Sequence, residues 1–161
     1  MHKRLDGHRT DAFRDSIAEA TGSGRVSNSE AKGVWMTWDM VREMRDAGMC
    51  FGGHTVNHPI LSRLDPVEQD HEIEMCLNRI ESELGERVIV FSYPDGQPGS
   101  FDEVSRACVQ SHGIRFAFAH SGGFSVFDQN DPYAISRMPI ERDTSFAEFR
   151  AIAALPQVFA Y

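Results

Sequence analysis

Apolar residues along the chain fall into short runs separated by capped, amphipathic stretches. Thr37 opens a helix that carries Val41 and Met44 and closes at Gly48, and the apolar run MCF follows directly. Asp65, Pro66 and Glu68 form a second start signal: a capping carboxylate, proline at the first helical position and glutamate three residues past the cap. Ile73, Leu77, Ile80 and Leu84 then recur at spacings of four, three and four, a helical stripe ended by Gly85. RVIVFSYP, dense in β-branched and aromatic residues, predicts a strand.

The cycle repeats. Ser100 and Glu103 read as a capping box before Val104 and Ala107, Gly113 follows the helix, and IRFAFAH predicts the next strand. AISRMPI predicts a short strand, and Ser145 with Glu148 opens a last helix bearing Phe146, Phe149 and Ile152. Before all this, DAFRDSIAEA predicts a short helix and TGSGRVSNSEAKG a flexible loop. Helices alternating with short strands give an α/β fold with mostly parallel strands.

Composition adds limits rather than a function. At 161 residues the chain has the length of one domain, and 41% apolar with 25% charged residues is a globular balance. The formal charge of −8 argues against nucleic acid or an anionic membrane as partner. Cys50, Cys76 and Cys108 match neither a CxxC clip nor a small disulfide framework and read as reduced, mostly buried thiols. No run approaches the roughly 18 apolar residues of a spanning helix, and the polar start lacks a signal-peptide core, so the sequence as written reads as cytoplasmic.

In such a layout functional groups collect at the carboxyl ends of strands. Three loops qualify: GGHTVNHP, YPDGQPGS and HSGGF. In the first, His54 and His58 stand four apart, and Pro59 pushes His58 away from the helical region, so a continuous helix through both is not expected. A turn, with Gly52 and Gly53 allowing close approach, can bring both imidazoles onto one divalent ion. On spacing alone, two loop histidines bonded to backbone is the stronger reading. Asp95-Gly96 by itself reads as a plain turn, and His120 as a hydrogen-bonded strand end. His71 and His112 read as surface residues on helices, while Trp35 and Trp38 pack beside the apolar stripe or line the cleft.

GGHTVNHPILSRL after a strand and before a capped acidic helix resembles the His-Ser/Thr-x-x-His motif of the polysaccharide deacetylase family, the NodB-like carbohydrate esterases. FSYPDG stands where that family has a Phe-Arg-Pro-Pro-Tyr-Gly motif, and WMTWDMVREMRDAGM and EIEMCLNRIESELG are similar to its helices. The resemblance implies a partial, distorted (β/α) barrel, with residues 1–33 the remnant of an insertion and 34–161 the carboxyl-terminal part of the domain. It implies that His54 and His58 are metal ligands, zinc foremost, with Co, Ni or Fe as alternatives. It further implies that the Asp95 backbone N–H stabilises an oxyanion, that His120 is the candidate acid, and that Tyr93, Pro94 and Trp38 contact an N-acetylated oligo- or polysaccharide.

The sequence departs from the family pattern in several places. No Thr-Phe-Asp-Asp, the motif supplying the family's base and third ligand, occurs; Asp6, Asp11 and Asp15 follow no plausible buried strand. Ser92 stands where the family often has Arg, and no Leu-x-His occurs late in the chain. The expectation is therefore a deacetylase-like domain with a weakened metal site, slowed about 10²–10⁴-fold by loss of the base. An unpaired strand edge is expected to drive homo-oligomerisation. The alternatives are a non-catalytic carbohydrate-binding or self-associating module of the same fold, and a metal-independent α/β interaction domain. Relatives often act on exported polysaccharide.

Overall fold

Capping chemistry sets most of the element boundaries in the computed structural model, which describes residues 7–24, 33–123 and 131–160. The helices are α1 (Gly7–Thr21), α2 (Trp38–Asp46), α3 (Pro66–Leu84), α4 (Glu103–Ser111), α5 (Phe146–Ala154) and α6 (Pro156–Phe159). The strands are β1 (Val90–Ser92), β2 (Phe116–Ala119) and β3 (Ile135–Ser136), and a 3-10 turn spans Leu61–Arg63. Thr37 caps α2 through Met40, and Asp65 and Glu68 close a full capping box on α3, with Gly85 left-handed at φ 70° where the helix stops.

The strands form one parallel sheet in the order β1-β2-β3, with Ser92 opposite Phe118 and Ala119 opposite Ser136. Their short apolar runs suit a sheet covered by helices. Ile73 and Leu77 of the α3 stripe, with Val109 and Ile114 from around α4, close over Phe91, Tyr93 and Ala117. Leu61, Ile73, Tyr93, Val109 and Ala117 have no solvent exposure. Each large apolar side chain so buried contributes about 1.5–3 kcal/mol. A buried polar bridge joins the two helices, the Ser105 hydroxyl donating to the Gln69 side-chain oxygen at 2.6 Å. The architecture is a mixed α/β unit with a small parallel sheet.

Several expectations need correction. MCF is not a strand: only Gly53 bridges to Phe91, through Gly53 N–H to the Val90 carbonyl (3.0 Å) and Ser92 N–H to the Gly53 carbonyl (2.9 Å). The α4 box is formed by Asp102 and Ser105, not Ser100 and Glu103, because Ser100 turns its hydroxyl to the Gln97 carbonyl at 2.7 Å. Cys50 is exposed, although all three cysteines are free as expected. His112 is half-buried and pairs with Asp70 at 2.8 Å, tying α4 to α3. Trp35 packs against nothing substantial, being 74% exposed, and α5 buries none of its residues. Residues 25–32 of the expected flexible loop lie outside the described residues.

Candidate functional site

Glycine chemistry brings the histidine loop to the sheet. A side chain at Gly53 would place its first carbon 2.8 Å from both Leu77 and Phe91, and one at Gly52 would meet Val90 at 2.7 Å. Only bare backbone fits there, so the Gly52–Gly53 segment lies against β1 and delivers His54 to the carboxyl end of that strand. His54 Nδ1 lies 2.6 Å from the Ser92 carbonyl oxygen. A carbonyl only accepts, so Nδ1 carries the proton and Nε2 keeps its lone pair. This is the arrangement that orients histidine ligands in metal sites.

The chain then reverses through two residues in the left-handed region, Thr55 at φ 64° and His58 at φ 56°. Such non-glycine residues cost about 1–3 kcal/mol each and persist only where their surroundings hold them. Here α3 holds them. Glu72 accepts from Val56 N–H and Asn57 N–H, each at 2.9 Å, and from the Asn57 amide at 2.6 Å. One helical turn on, the buried Cys76 sulfur accepts from His54 N–H at 3.4 Å, and the Thr55 hydroxyl oxygen receives His58 N–H at 3.1 Å. The result is two exposed imidazoles with ring centroids 4.7 Å apart, nearly perpendicular at 78°.

Electrostatics favours a neutral, ligand-competent ring at His54. His54 keeps part of its surface in solvent, yet crowding by protein atoms desolvates its ring and is the largest influence lowering its pKa. The bond to Ser92 opposes this, while His58 and Arg137 lower it further. Burial pushes the Cys76 thiol up, so it serves as a neutral acceptor and not a thiolate.

The other predicted residues divide. Asp95 (φ 62°) and Gly96 (φ 70°) form a tight left-handed turn at the end of β1, with Gly96 N–H donating to the Pro94 carbonyl at 2.7 Å. His120 N–H donates to the Gly96 carbonyl at 2.7 Å, so this turn and the His120 backbone are joined at the same end of the sheet as His54. Trp38 lines a cleft of about 570 Å³ together with His54, Asn57, Glu72, Met75 and Arg79, the guanidinium lying 5.3 Å from the ring centre. Tyr93 and Pro94 are a correction: both side chains are fully buried, leaving neither to reach a substrate. Tyr93 stacks on Phe101 at 3.9 Å and donates its hydroxyl to the Tyr133 carbonyl at 3.0 Å, and burial raises its pKa.

Sequence reasoning missed Glu72, Cys76 and Arg137. Glu72 and Cys76 each stand one position before a member of the apolar stripe, at its edge, four apart and thus on one helical face. Arg137 is the first residue beyond β3, where a parallel sheet gathers its functional groups. Among the described residues no group of three or more His, Cys, Asp or Glu converges as a metal cage, so the donor set is the two imidazoles. That set suits a divalent ion completed by water or by a further ligand.

The fold is shared with solved deacetylases. The chain is 22% identical to the Streptococcus pyogenes deacetylase PplD, solved in complex with acetate, at a TM-score of 0.64 over 72% of this chain and 50% of that one. A polysaccharide deacetylase from Bacillus cereus gives 20% identity and a TM-score of 0.62 over 72% of this chain and 36% of that one. A de-N-acetylase from Aggregatibacter actinomycetemcomitans gives 19% and 0.56 over 73% and 53%. The chain thus spans about half or less of these structures and shares a partial NodB-type (β/α) fold with them. No curated protein matches the chain. The profile of the family described as polysaccharide deacetylase matches residues 13–117, more than half of the sequence, and the chain belongs to that family.

Proposed function

We propose that this chain contributes the histidine half of a metal-dependent site that hydrolyses N-acetyl or O-acetyl groups on a carbohydrate. The observation that carries the reading is His54 Nδ1 at 2.6 Å from the Ser92 carbonyl, which leaves Nε2 as an acceptor beside His58. His54 and His58 would hold the ion, zinc being our choice over Co, Ni or Fe. When bound, such an ion supplies Lewis-acid chemistry, a more acidic water and a polarised acyl carbonyl.

The chain's own residues have distinct parts. Glu72 and Cys76 fix the loop that carries the imidazoles. The left-handed turn at Asp95 offers a backbone N–H to the oxyanion as the acyl carbon becomes tetrahedral. His120, tied to that turn through its backbone, is the candidate proton donor to the leaving amine or alcohol. Trp38 gives the sugar an aromatic wall within the cleft. The oxygen of water bonds to the acyl carbon and gives its proton up to solvent, the carbon–nitrogen or carbon–oxygen bond breaks, acetate leaves, and the sugar keeps a free amine or hydroxyl.

A second reading is a module that binds acetylated carbohydrate without hydrolysing it. Among the described residues no third His, Cys, Asp or Glu joins the two histidines, which favours it. Elemental analysis of untagged protein, with His54→Ala alongside, separates the readings when paired with acetate release from N-acetylated chitooligosaccharides. About one divalent ion per chain, lost in the variant, together with metal-dependent acetate release supports hydrolysis. Oligosaccharide binding without metal or release supports the module. Neither metal nor binding overturns both.

A further inference from the structure

Helix α5 is closed at its start by a full capping box. The Ser145 hydroxyl accepts from Glu148 N–H at 3.2 Å, and the Glu148 carboxylate accepts from Ser145 N–H at 2.8 Å. Capping starts a helix but does not sustain one, and nine residues are too few to hold in water without packing an apolar face. Yet α5 buries none of its residues, and Phe146 and Phe149 stand 75% and 45% exposed. Their rings share one face, with centroids 6.4 Å apart and planes 22° from parallel. Leu155, just past α5, and Val158, in α6, extend the exposed apolar surface.

Two opposite charges flank the aromatic stripe. At about 100° per residue, Glu148 and Arg150 project to opposite sides of Phe149, while Phe146 and Ile152 stay within about 60° of it. Both flanking residues are exposed, and neither joins an ion pair among the described residues. A helix with acid on one flank and base on the other is complementary to a copy of itself running in the same direction. About a two-fold axis parallel to the helices, each left flank meets the other's right flank. Glu148 then faces Arg150 on both sides, and Phe149 meets Phe149 between them. With the helices running in opposite directions like flanks meet, and Glu148 would face Glu148.

We infer that α5 is a self-association surface, on which a second copy of this chain packs its own α5 side by side and in the same direction. The two phenylalanine rings leave on the order of 200–300 Å² per copy to be covered. That is well short of the roughly 800 Å² per partner of a standard interface, so the association is weak and concentration-dependent. The charge of −8 on each copy adds a repulsion that the apolar contact and the flank pairs must exceed, and it disfavours an acidic partner or an anionic membrane at this face. The pairing is independent of any chemistry at the histidines.

Sedimentation equilibrium of the full chain, from micromolar to near-millimolar concentration, tests this. Thermal unfolding checks that each variant is folded, and because α5 contributes no buried residue the substitutions leave the core alone. A reversible equilibrium between one chain and two is expected. Phe149→Glu should raise the dissociation constant about thirtyfold or more, and Phe149→Leu should leave it within about threefold. Arg150→Glu sets acid against Glu148, and Glu148→Lys sets base against Arg150, so each should weaken the pair about three- to tenfold. Mixing these two variants in equal amounts should restore association, because both flanks then hold opposite charges. Glu148→Lys also gives up the bond from Ser145 N–H, a loss that mixing does not repair, so recovery on mixing reports the flank pairing itself. A mass of one chain throughout, single charge variants that associate as tightly as the parent, or a mixture no tighter than its components would each overturn the proposal. So would a dimer that persists in Phe149→Glu, which would move the contact to another surface such as the strand edge.

Discussion

His54 Nδ1 and the Ser92 carbonyl oxygen stand 2.6 Å apart, so the last residue of β1 decides which nitrogen of His54 carries the proton. The tautomer with hydrogen on Nδ1 should therefore dominate at neutral pH. Long-range proton–nitrogen correlation of the imidazole checks this directly, and hydrogen on Nε2 instead would remove the ligand lone pair on which the metal reading depends. His54→Asn should keep the loop near its place while lowering divalent-metal affinity at least as far as His58→Asn does.

Glu72 accepts three hydrogen bonds from the loop that contains two left-handed residues. Glu72→Ala should speed amide exchange at Val56 and Asn57 and weaken metal binding about 10–100-fold, the usual cost of losing support behind a ligand. Glu72→Gln keeps one oxygen acceptor and should recover part of both losses. Unchanged exchange at Val56 and Asn57 in Glu72→Ala would show that the loop holds its shape without the helix.

The helix signals were legible in the sequence because capping is local: Thr37, Asp65 and Ser145 do their work within three residues of themselves. At α4 two candidate caps compete two residues apart, and the burial of Ser100 against the Gln97 carbonyl decides for Asp102. MCF fails as a strand because a strand is a pairing, and only Gly53 meets a partner. The histidine pair was readable from its motif, but Glu72 and Arg137 act across 15 or more residues of chain, through contacts that sequence spacing does not encode. Tyr93 was misread for the same reason, since its stacking on Phe101 draws it into the core.

Gly96 touches the site through backbone alone. At φ 70° a side chain is already disfavoured, and its first carbon would lie 2.7 Å from the His120 nitrogen, a backbone atom that cannot swing aside. Gly99 is also left-handed, at φ 83°, yet has open space around it. Gly99→Ala should therefore cost only the left-handed penalty, about 1–2 kcal/mol. Gly96→Ala should cost clearly more, and should also shift the His120 ring signals. Equal losses in thermal or urea unfolding would mean the contact between the two strand ends relaxes freely.

Asp102 supplies the pH dependence. Burial by itself would raise its pKa, but hydrogen bonds from Ser105, Gln69 and Val104 outweigh that and leave the carboxyl below its ordinary value. A carboxylate depressed in the folded state stabilises fully above its unfolded value of about 3.9, and the contribution is lost as pH falls through the folded value. Asp102→Ala should lower stability at pH 7 by about 0.5–2 kcal/mol, as removal of a helix cap does. Below about pH 4 the gap between variant and parent should narrow, because the parent's cap becomes protonated as well. Urea unfolding of both proteins between about pH 3 and 7 measures the gap. A gap that stays constant across that range would assign the stabilisation to the shape of the side chain and not to its charge.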